Sequence, residues 1–351
     1  MSFSKSIPKT FMQRCIDLAR LGASNVAPNP MVGCVIVHND VIIGEGYHQV
    51  YGGPHAEVNA IQNVKDKTLL SQSTLYVNLE PCNHHGKTPP CSLLILEYKI
   101  PHVVIGCVDS FSEVAGKGIE NLRKNGVNVE VGLLEKECLW LNRRFFTFHN
   151  KKRPYIILKW AQTANGFMDI DRSQNKQLGI QWITQPETQQ LTHKWRSEEA
   201  GILVGKNTAL NDNPSLTCRA IEGVNPTRIV IDKKLELKRT LNLFNSGEKV
   251  VVFNEIKTET SDNIQYVKLN FGNNILPQLL DHLYELNLLS VIIEGGKNTI
   301  EQFIQTNLWD EARVLKGEST FSQGVIAPQL HNNITQQFYF GKDFITIYSN
   351  D

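Results

Sequence analysis

The sequence predicts an α/β protein made of two layered domains. Three observations carry that prediction. Short apolar runs of strand length alternate with amphipathic runs of helical spacing along the chain, the pattern that lays helices on a sheet. The chain has 351 residues, enough for two domains of ordinary size. A short polar and basic stretch, His149-Asn150-Lys151-Lys152-Arg153-Pro154, interrupts the pattern before a fresh apolar run. Read as a solvated linker, it separates domains of residues 1–149 and 150–351.

In the first half, residues 10–21 carry Met12, Cys15, Ile16 and Ala19 at helical spacing and stop at Gly22. Pro28-Asn29-Pro30 makes a rigid loop. Residues 31–37 read as a buried strand, Asn39-Asp40 as a turn, and 41–47 as the partner strand. Pro54 suits the first turn of a helix over 54–62. A strand over 73–78 delivers Glu80-Pro81-Cys82, and Cys91 opens an apolar helix running to Glu97. A strand at 103–108, a helix at 113–125 and a strand at 127–131 complete this half.

In the second half, strands are predicted at 155–159, 200–204, 228–232, 249–253, 264–269, 291–293 and 311–315, with a closing strand or pair at 338–348. Helices are predicted at 185–199, 275–288 and 299–306. Ile292-Ile293-Glu294-Gly295-Gly296-Lys297-Asn298-Thr299 is a strand running through a glycine turn into a helix, whose free amides suit a phosphate.

Composition narrows the class. Hydrophobic content of 41% and charged content of 20% suit a soluble globular protein. A net charge of +1 argues against a broad nucleic-acid surface. Of seven cysteines, Cys15, Cys34, Cys107, Cys138 and Cys218 are scattered singly, as in reduced cytosolic proteins. The first ten residues lack the apolar core of a signal peptide, and no apolar run reaches spanning length. The expectation is a cytoplasmic protein without a membrane partner.

His55-Ala56-Glu57, Pro81-Cys82 and Cys91 carry the strongest chemical signal. One histidine and two cysteines make a three-ligand zinc set, and catalytic zinc keeps a fourth position for water where structural zinc usually takes four protein ligands. Glu57 follows His55 by two residues, a spacing that does not share a helix face, so both reach one metal only if His55 sits at the helix start. A cysteine at a helix N-terminus, as Cys91 is predicted to be, is readily held as thiolate. His84 and His85 are competing ligand candidates. The combination is the signature of zinc deaminases acting on a base, with the glutamate as proton carrier.

Eight residues separate Cys82 from Cys91, and the insert Gly86-Lys87-Thr88-Pro89-Pro90 resembles the bifunctional riboflavin-biosynthesis deaminase/reductase family. Pro28-Asn29-Pro30-Met31-Val32-Gly33 and the run from His48 to Glu57 match the same family. The resemblance implies two three-layer domains, the N-terminal one cytidine-deaminase-like and the C-terminal one dihydrofolate-reductase-like. It implies zinc-dependent deamination of a phosphoribosylaminopyrimidine, one zinc per chain, then NADPH-dependent reduction of the ribose. By the same likeness, Asn29, His48 and Lys87 would line the pyrimidine and ribose-phosphate pocket.

The second half resembles the reductase domain of that family through 159–166, Trp182-Ile183-Thr184 and 193–219, most specifically 204–219. That likeness implies NADPH contacts from Ala161, Trp182, Thr208, Asp212 and the turn Gly296, Lys297, Asn298, Thr299, Ile300, Glu301 and Gln302. Ile180, Arg196, Leu216, Arg219 and Glu294 would hold the substrate. As structure alone, Arg196 would pair with Glu198 or Glu199. Lys206 and Lys297 flank the cofactor loops and suit a ribose phosphate. There are departures. Ile180 stands where the family usually has a serine, Glu199 replaces a common aspartate, and roughly five extra residues lie between Gly166 and Trp182, an ordinary loop change. The family likeness also implies a homo-oligomer.

Overall fold

A computed structural model describes residues 9–83, 89–109, 116–172, 178–245 and 247–350. The chain divides into two units, Met1–Lys152 and Arg153–Asp351.

The first unit runs α1 (Lys9–Arg20), β1 (Gly33–His38), β2 (Val41–Tyr47), α2 (Ala56–Asn63), β3 (Thr74–Leu79), α3 (Cys91–Glu97), β4 (His102–Cys107), α4 (Lys117–Lys124), β5 (Asn128–Val131), α5 (Glu135–Leu141) and α6 (Arg143–Lys151). Its sheet has the order β2-β1-β3-β4-β5. β1 is antiparallel to both neighbours, while β3, β4 and β5 are parallel. Alternation along the strands sorts side chains between two faces. Cys34, Ile36, Leu75, Val77, Val103 and Ile105 pack against Ala60 and Ile61 of α2, Ile95 of α3 and Leu122 of α4. On the opposite face α1 comes so close that a Cβ on Gly33 would lie 2.1 Å from the Cys15 carbonyl oxygen. Three layers result.

Two features depart from the sequence reading. The stretch 149–154 is not a solvated linker: His149 and Lys151 belong to the last turn of α6, whose Phe145, Phe146 and Phe148 are buried. Arg153 pairs with Asp310. The helix predicted to start at residue 113 is described only from Lys117, since 110–115 lie outside the described residues.

The second unit runs β6 (Tyr155–Gln162), β7 (Phe167–Ile170), α7 (Pro186–Ser197), β8 (Gly201–Gly205), α8 (Lys206–Asp212), β9 (Thr227–Ile231), β10 (Val250–Asn254), β11 (Glu259–Ser261), β12 (Ile264–Lys268), α9 (Ile275–Glu285), β13 (Ser290–Ile293), α10 (Lys297–Gln305), β14 (Glu311–Lys316), β15 (Gly324–Ile326), β16 (Asn333–Phe340) and β17 (Asp343–Ser349). Its ten-stranded sheet is ordered β11-β12-β10-β9-β8-β13-β6-β14-β17-β16. The strands from β12 to β14 are parallel, and β11, β17 and β16 make antiparallel edges. β7 and β15 form a separate two-stranded arm.

The central strands read as continuous apolar runs because both faces are covered. Ile156, Leu158, Val291 and Ile293 meet Leu276, Leu279 and Leu283 of α9 and Phe303 of α10. Ile157, Ile202, Val230 and Ile292 meet Trp195 of α7 and Ala209 of α8. Leu279 is fully buried, so truncation to alanine there costs about 2–5 kcal/mol. Asp343 fixes the start of α7, its carboxylate accepting from the Gln185 amide at 2.7 Å and the Thr188 hydroxyl at 2.6 Å. That anchoring matters because α7 carries His193 and Arg196 into the cavity described next.

Candidate active sites

The first site forms where α2 and α3 begin. His55 is the N-cap of α2, with φ −71° and ψ 163° outside the helical region. Because the helix starts only at Ala56, His55 and Glu57 are freed from regular helical spacing, as the motif requires. His55 Nδ1 lies 3.6 Å from Cys82 Sγ and 3.3 Å from Cys91 Sγ. The Cys91 backbone N–H donates to Cys82 Sγ at 3.3 Å. All three ligand atoms fall within 4.8 Å of one another. Tetrahedral zinc, with Zn–S of about 2.3 Å and Zn–N of about 2.0–2.1 Å, separates its ligands by about 3.5–3.8 Å. The donor set and its spacing therefore fit zinc. The hydrogen bond from Cys91 and the neighbouring His55 pull the Cys82 thiol down to about 4.

Glu57 is 3% exposed. Burial raises its carboxyl above the usual carboxylate range, and Cys82 adds to this while His55 opposes it. A carboxyl beside the ligand cluster is placed to carry a proton.

His48 and Asn29 stand beside this set. The His48 and His55 rings meet edge-on at 5.6 Å. His48 Nδ1 lies 2.9 Å from the Pro54 carbonyl, which only accepts, so the proton is assigned to Nδ1. That leaves Nε2 to accept from the Asn29 amide at 3.1 Å. Burial lowers the His48 pKa and favours its neutral form. Lys87, with His84 and His85, lies outside the described residues.

The sequence reading missed what holds the Cys82 turn. The buried Glu80 carboxylate accepts four backbone N–H groups, from Asp109 at 3.3 Å, Gly116 at 3.0 Å, Gly118 at 2.9 Å and Ile119 at 3.2 Å. It thereby ties the start of α4 to the turn carrying Cys82. Asn83 adds a second tie, accepting from Ser92 at 2.7 Å and Asn121 at 3.1 Å. The available signal was a glutamate directly before Pro-Cys at the end of a buried strand.

The second site is a cavity of about 790 Å³ within the second unit. It opens at the C-terminal ends of parallel strands, where α/β sheets bind ligands. Ala161, Trp182, Thr208, Asp212, Gly296, Lys297, Asn298 and Thr299 line it, as do Ile180, Arg196, Leu216, Arg219 and Glu294. Ile300 does not: it is fully buried in the core under α10. Glu301 and Gln302 also lie off the cavity lining, Glu301 facing Lys297 at 3.6 Å and Gln302 exposed. The reason is helical: α10 begins at Lys297, so its next turn rotates away from the cavity.

Two helix starts sit side by side here. Thr208 of α8 accepts the Gly296 amide at 2.9 Å. A Cβ on Gly295 would lie 2.5 Å from the Gly205 nitrogen, so the two turns approach as only glycine allows. Both starts offer amides to an anion.

Arg196 does not pair with Glu198 or Glu199. It grips Glu294 bidentately, Nε to Oε1 at 2.9 Å and Nη2 to Oε2 at 2.7 Å. Glu199 instead faces Arg313 at 3.4 Å. Lys159 stands 3.6 Å from Glu294. Burial alone would raise the Glu294 carboxyl, but Arg196 and Lys159 outweigh it and hold it at about 2. Burial lowers the Lys159 pKa. Lys159 and His193 both line the cavity and were not singled out from sequence. The signal for Lys159 was a charge inside the apolar run of β6.

Comparison with known proteins agrees with both centres. Residues 5–107 match the cytidine and deoxycytidylate deaminase zinc-binding region, and residues 154–317 match the RibD C-terminal domain. A riboflavin biosynthesis protein RibD of Aquifex aeolicus is 36% identical over 327 residues, covering 92% of this chain and 90% of its own. One from Actinobacillus pleuropneumoniae is 38% identical over 310 residues, covering 85% and 80%. The crystal structure of a diaminohydroxyphosphoribosylaminopyrimidine deaminase/5-amino-6-(5-phosphoribosylamino)uracil reductase of Thermotoga maritima superposes with a TM-score of 0.88 at 35% identity, covering 97% of this chain and 98% of that one. A deaminase domain with a His/Cys/Cys cluster and a reductase domain thus stand in one chain, which belongs to the RibD family of bifunctional riboflavin-biosynthesis deaminase/reductases.

Proposed function

We propose that His55, Cys82 and Cys91 hold the zinc at which 2,5-diamino-6-(5-phosphoribosylamino)pyrimidin-4(3H)-one is deaminated, with Glu57 moving the protons. When bound, zinc supplies the Lewis acidity that readies a water at neutral pH. Glu57 would take a proton from that water and pass it to the ring nitrogen as the hydroxyl adds to the ring carbon, then pass the proton of the added hydroxyl to the amine, which leaves as ammonia. Asn29, His48 and Lys87 line the pyrimidine and ribose-phosphate pocket.

In the second unit, the cavity receives 5-amino-6-(5-phosphoribosylamino)uracil and NADPH, the source of the hydride. Ala161, Trp182, Thr208, Asp212 and the turn from Gly296 to Thr299 form the cofactor side. Arg196, Leu216, Arg219, Glu294 and Ile180 form the substrate side, with Arg219 suited to clamp a phosphate. The division of labour is residues 1–149 for deamination and 150–351 for reduction. Family likeness supports a homo-oligomer and a cytoplasmic setting. Among the described residues no helix is long and apolar enough to cross a membrane.

One observation carries the reading. A buried carboxylate, Glu57, lies beside a three-ligand cluster that leaves a zinc coordination position for water. A structural site has no use for that carboxylate. The test is to give the purified protein the pyrimidine phosphate with and without NADPH and weigh the products. The deaminated product is expected without NADPH and the reduced, deaminated product with it. A first step that requires NADPH would overturn the order.

A further inference from the structure

We infer that Arg172 is a positioning residue of the reductase cavity, tying the segment after β7 to the end of α8 and offsetting two carboxylates on a wall that receives an anionic nucleotide. The inference rests on the reading above that NADPH lies against Asp212.

Arg172 follows β7 by two residues and is 12% exposed. Its Nε donates to Asp169 Oδ2 at 2.7 Å and its Nη2 to Asp169 Oδ1 at 3.0 Å. The same Nη2 reaches Asp212 Oδ1 at 3.2 Å and the Gly179 carbonyl at 3.1 Å. Gly179 in turn donates its amide to the Asn211 carbonyl at 2.7 Å. Two connections therefore reach the last turn of α8, one from the Arg172 guanidinium and one from the Gly179 backbone. Arg172, Asp169 and Asp212 all line the cavity.

The charge arrangement gives the tie a function. Asp169 and Asp212 flank one guanidinium. Among the described residues, a dinucleotide phosphate brought to this wall meets the carboxylates of Asp169 and Asp212 with the Arg172 guanidinium between them. Burial pushes the Asp212 carboxyl up to about 6, with Arg172 holding it down and Asp169 pushing it further up. The other charged or titratable side chains lining the cavity are Lys159, His193, Arg196, Arg219, Glu294 and Lys297. Arg196 and Lys159 are already engaged with Glu294. Without Arg172, Asp169 and Asp212 lose the guanidinium that lies between them, and above the titration of Asp212 the wall repels the cofactor. Below the titration of Asp212 the repulsion would fade.

The test is the pH dependence of KM for NADPH, with kcat, in the full-length zinc-loaded enzyme. Arg172→Met should raise KM by about tenfold near pH 8, the effect of about one pKa unit of electrostatic imbalance. The ratio to wild type should shrink towards pH 5 while kcat changes little. Arg172→Lys should recover part of the loss. Adding Asp169→Asn to Arg172→Met should bring KM back to within about threefold of wild type, because the two changes share one charge balance. A rise in KM that is the same at every pH and unrescued by Asp169→Asn would mean that Arg172 only fills space, and would overturn the inference. So would an unchanged KM. If Arg172→Met does not fold, Asp212→Asn decides. With one of the two charges that Arg172 offsets removed, it should lower KM for NADPH relative to wild type at pH 8 but not at pH 5, and a ratio to wild type that is the same at both pH values overturns the proposal. Thr208→Val separates this from the underlying reading. If Thr208→Val leaves NADPH affinity intact, the cofactor is not where it was placed and both readings fall. If it weakens NADPH while Arg172→Met does not, only the Arg172 inference falls.

Discussion

Three ligand atoms lie within 4.8 Å of one another in the first unit, delivered by the starts of α2 and α3 and the turn after β3. The reductase cavity has no such focus. Its lining comes from β6, β8, α7, α8 and the turn before α10, and its most specific contact joins Arg196 to Glu294 across 98 residues of sequence. In the first case the chemistry is set by donor atoms arranged for one ion. In the second it is set by a balance of buried charges among residues distant in sequence. A metal centre is therefore broken by one ligand, whereas the cavity is broken by disturbing a charge.

The largest effect expected is on the metal. Cys91→Ser should reduce zinc content from one per chain to near none and abolish deamination, by metal analysis of the purified variant. Full zinc retention would remove Cys91 from the set and bring in His84 or His85. Next, Glu57→Gln should keep zinc and fold but slow deamination about a hundred- to ten-thousand-fold, the usual worth of general acid–base help. Reduction of supplied uracil intermediate should be nearly unchanged. Deamination near the wild-type rate would reduce Glu57 to a first-turn helix carboxylate, worth less than about 1 kcal/mol.

On the other side of the comparison, Glu294→Gln leaves Arg196 and Lys159 without their anion. Removing one partner of a buried pair costs about 3–5 kcal/mol, to be read as denaturant unfolding of the second unit while zinc stays bound. The pH dependence follows. The Glu294 carboxyl falls from 4.5 to about 2 on folding, so its contribution is fully present above 4.5 and lost as pH falls through about 2. That contribution is about 3 kcal/mol, and acid titration of Glu294→Gln should lack it. The smallest effect concerns cofactor choice. Lys206 is half-buried and engaged with Glu236, whereas Lys297 lines the cavity. NADPH should be preferred over NADH, and Lys297→Gln should narrow the preference by about two- to fivefold, the scale of a partly exposed charge. Equal catalytic efficiency of wild type with both nucleotides would remove the preference itself.

The two regions also differ in how much could be read beforehand. The deaminase set was legible because each ligand sits in a short motif, and the need for His55 to precede its helix follows from spacing alone. The four donors on Glu80 were not legible, because they come from a loop and a helix start that become its neighbours only in the folded sheet. Most strands of the second unit were visible as apolar runs. β7 and β15 were not, since each is short and half exposed and they stabilise one another only as a pair. α8 was hidden because Asn207, Asn211 and Asp212 are poor helix residues; packing of Ala209 into the core overrides their preference. The Arg196 partner was misread for a similar reason. Glu198 and Glu199 are near in sequence, but Glu294, in the turn after β13, presents its carboxylate to the guanidinium.

The place of β6 in the sheet bears on how the protein is made. It is the first strand of its unit to leave the ribosome, yet its neighbours are β13 and β14, beginning at Ser290 and Glu311. In the first unit, β1 finds β2 one turn later and β3 soon after. Chains are synthesised from the N-terminus, and pairings distant in sequence form slowly. The deaminase sheet can therefore close while the reductase sheet still has an unpaired central strand. A transcript truncated before Ser290 would yield a working zinc centre attached to an apolar strand with both edges open, a form prone to aggregation. The nascent chain passes through the same state on every round of synthesis.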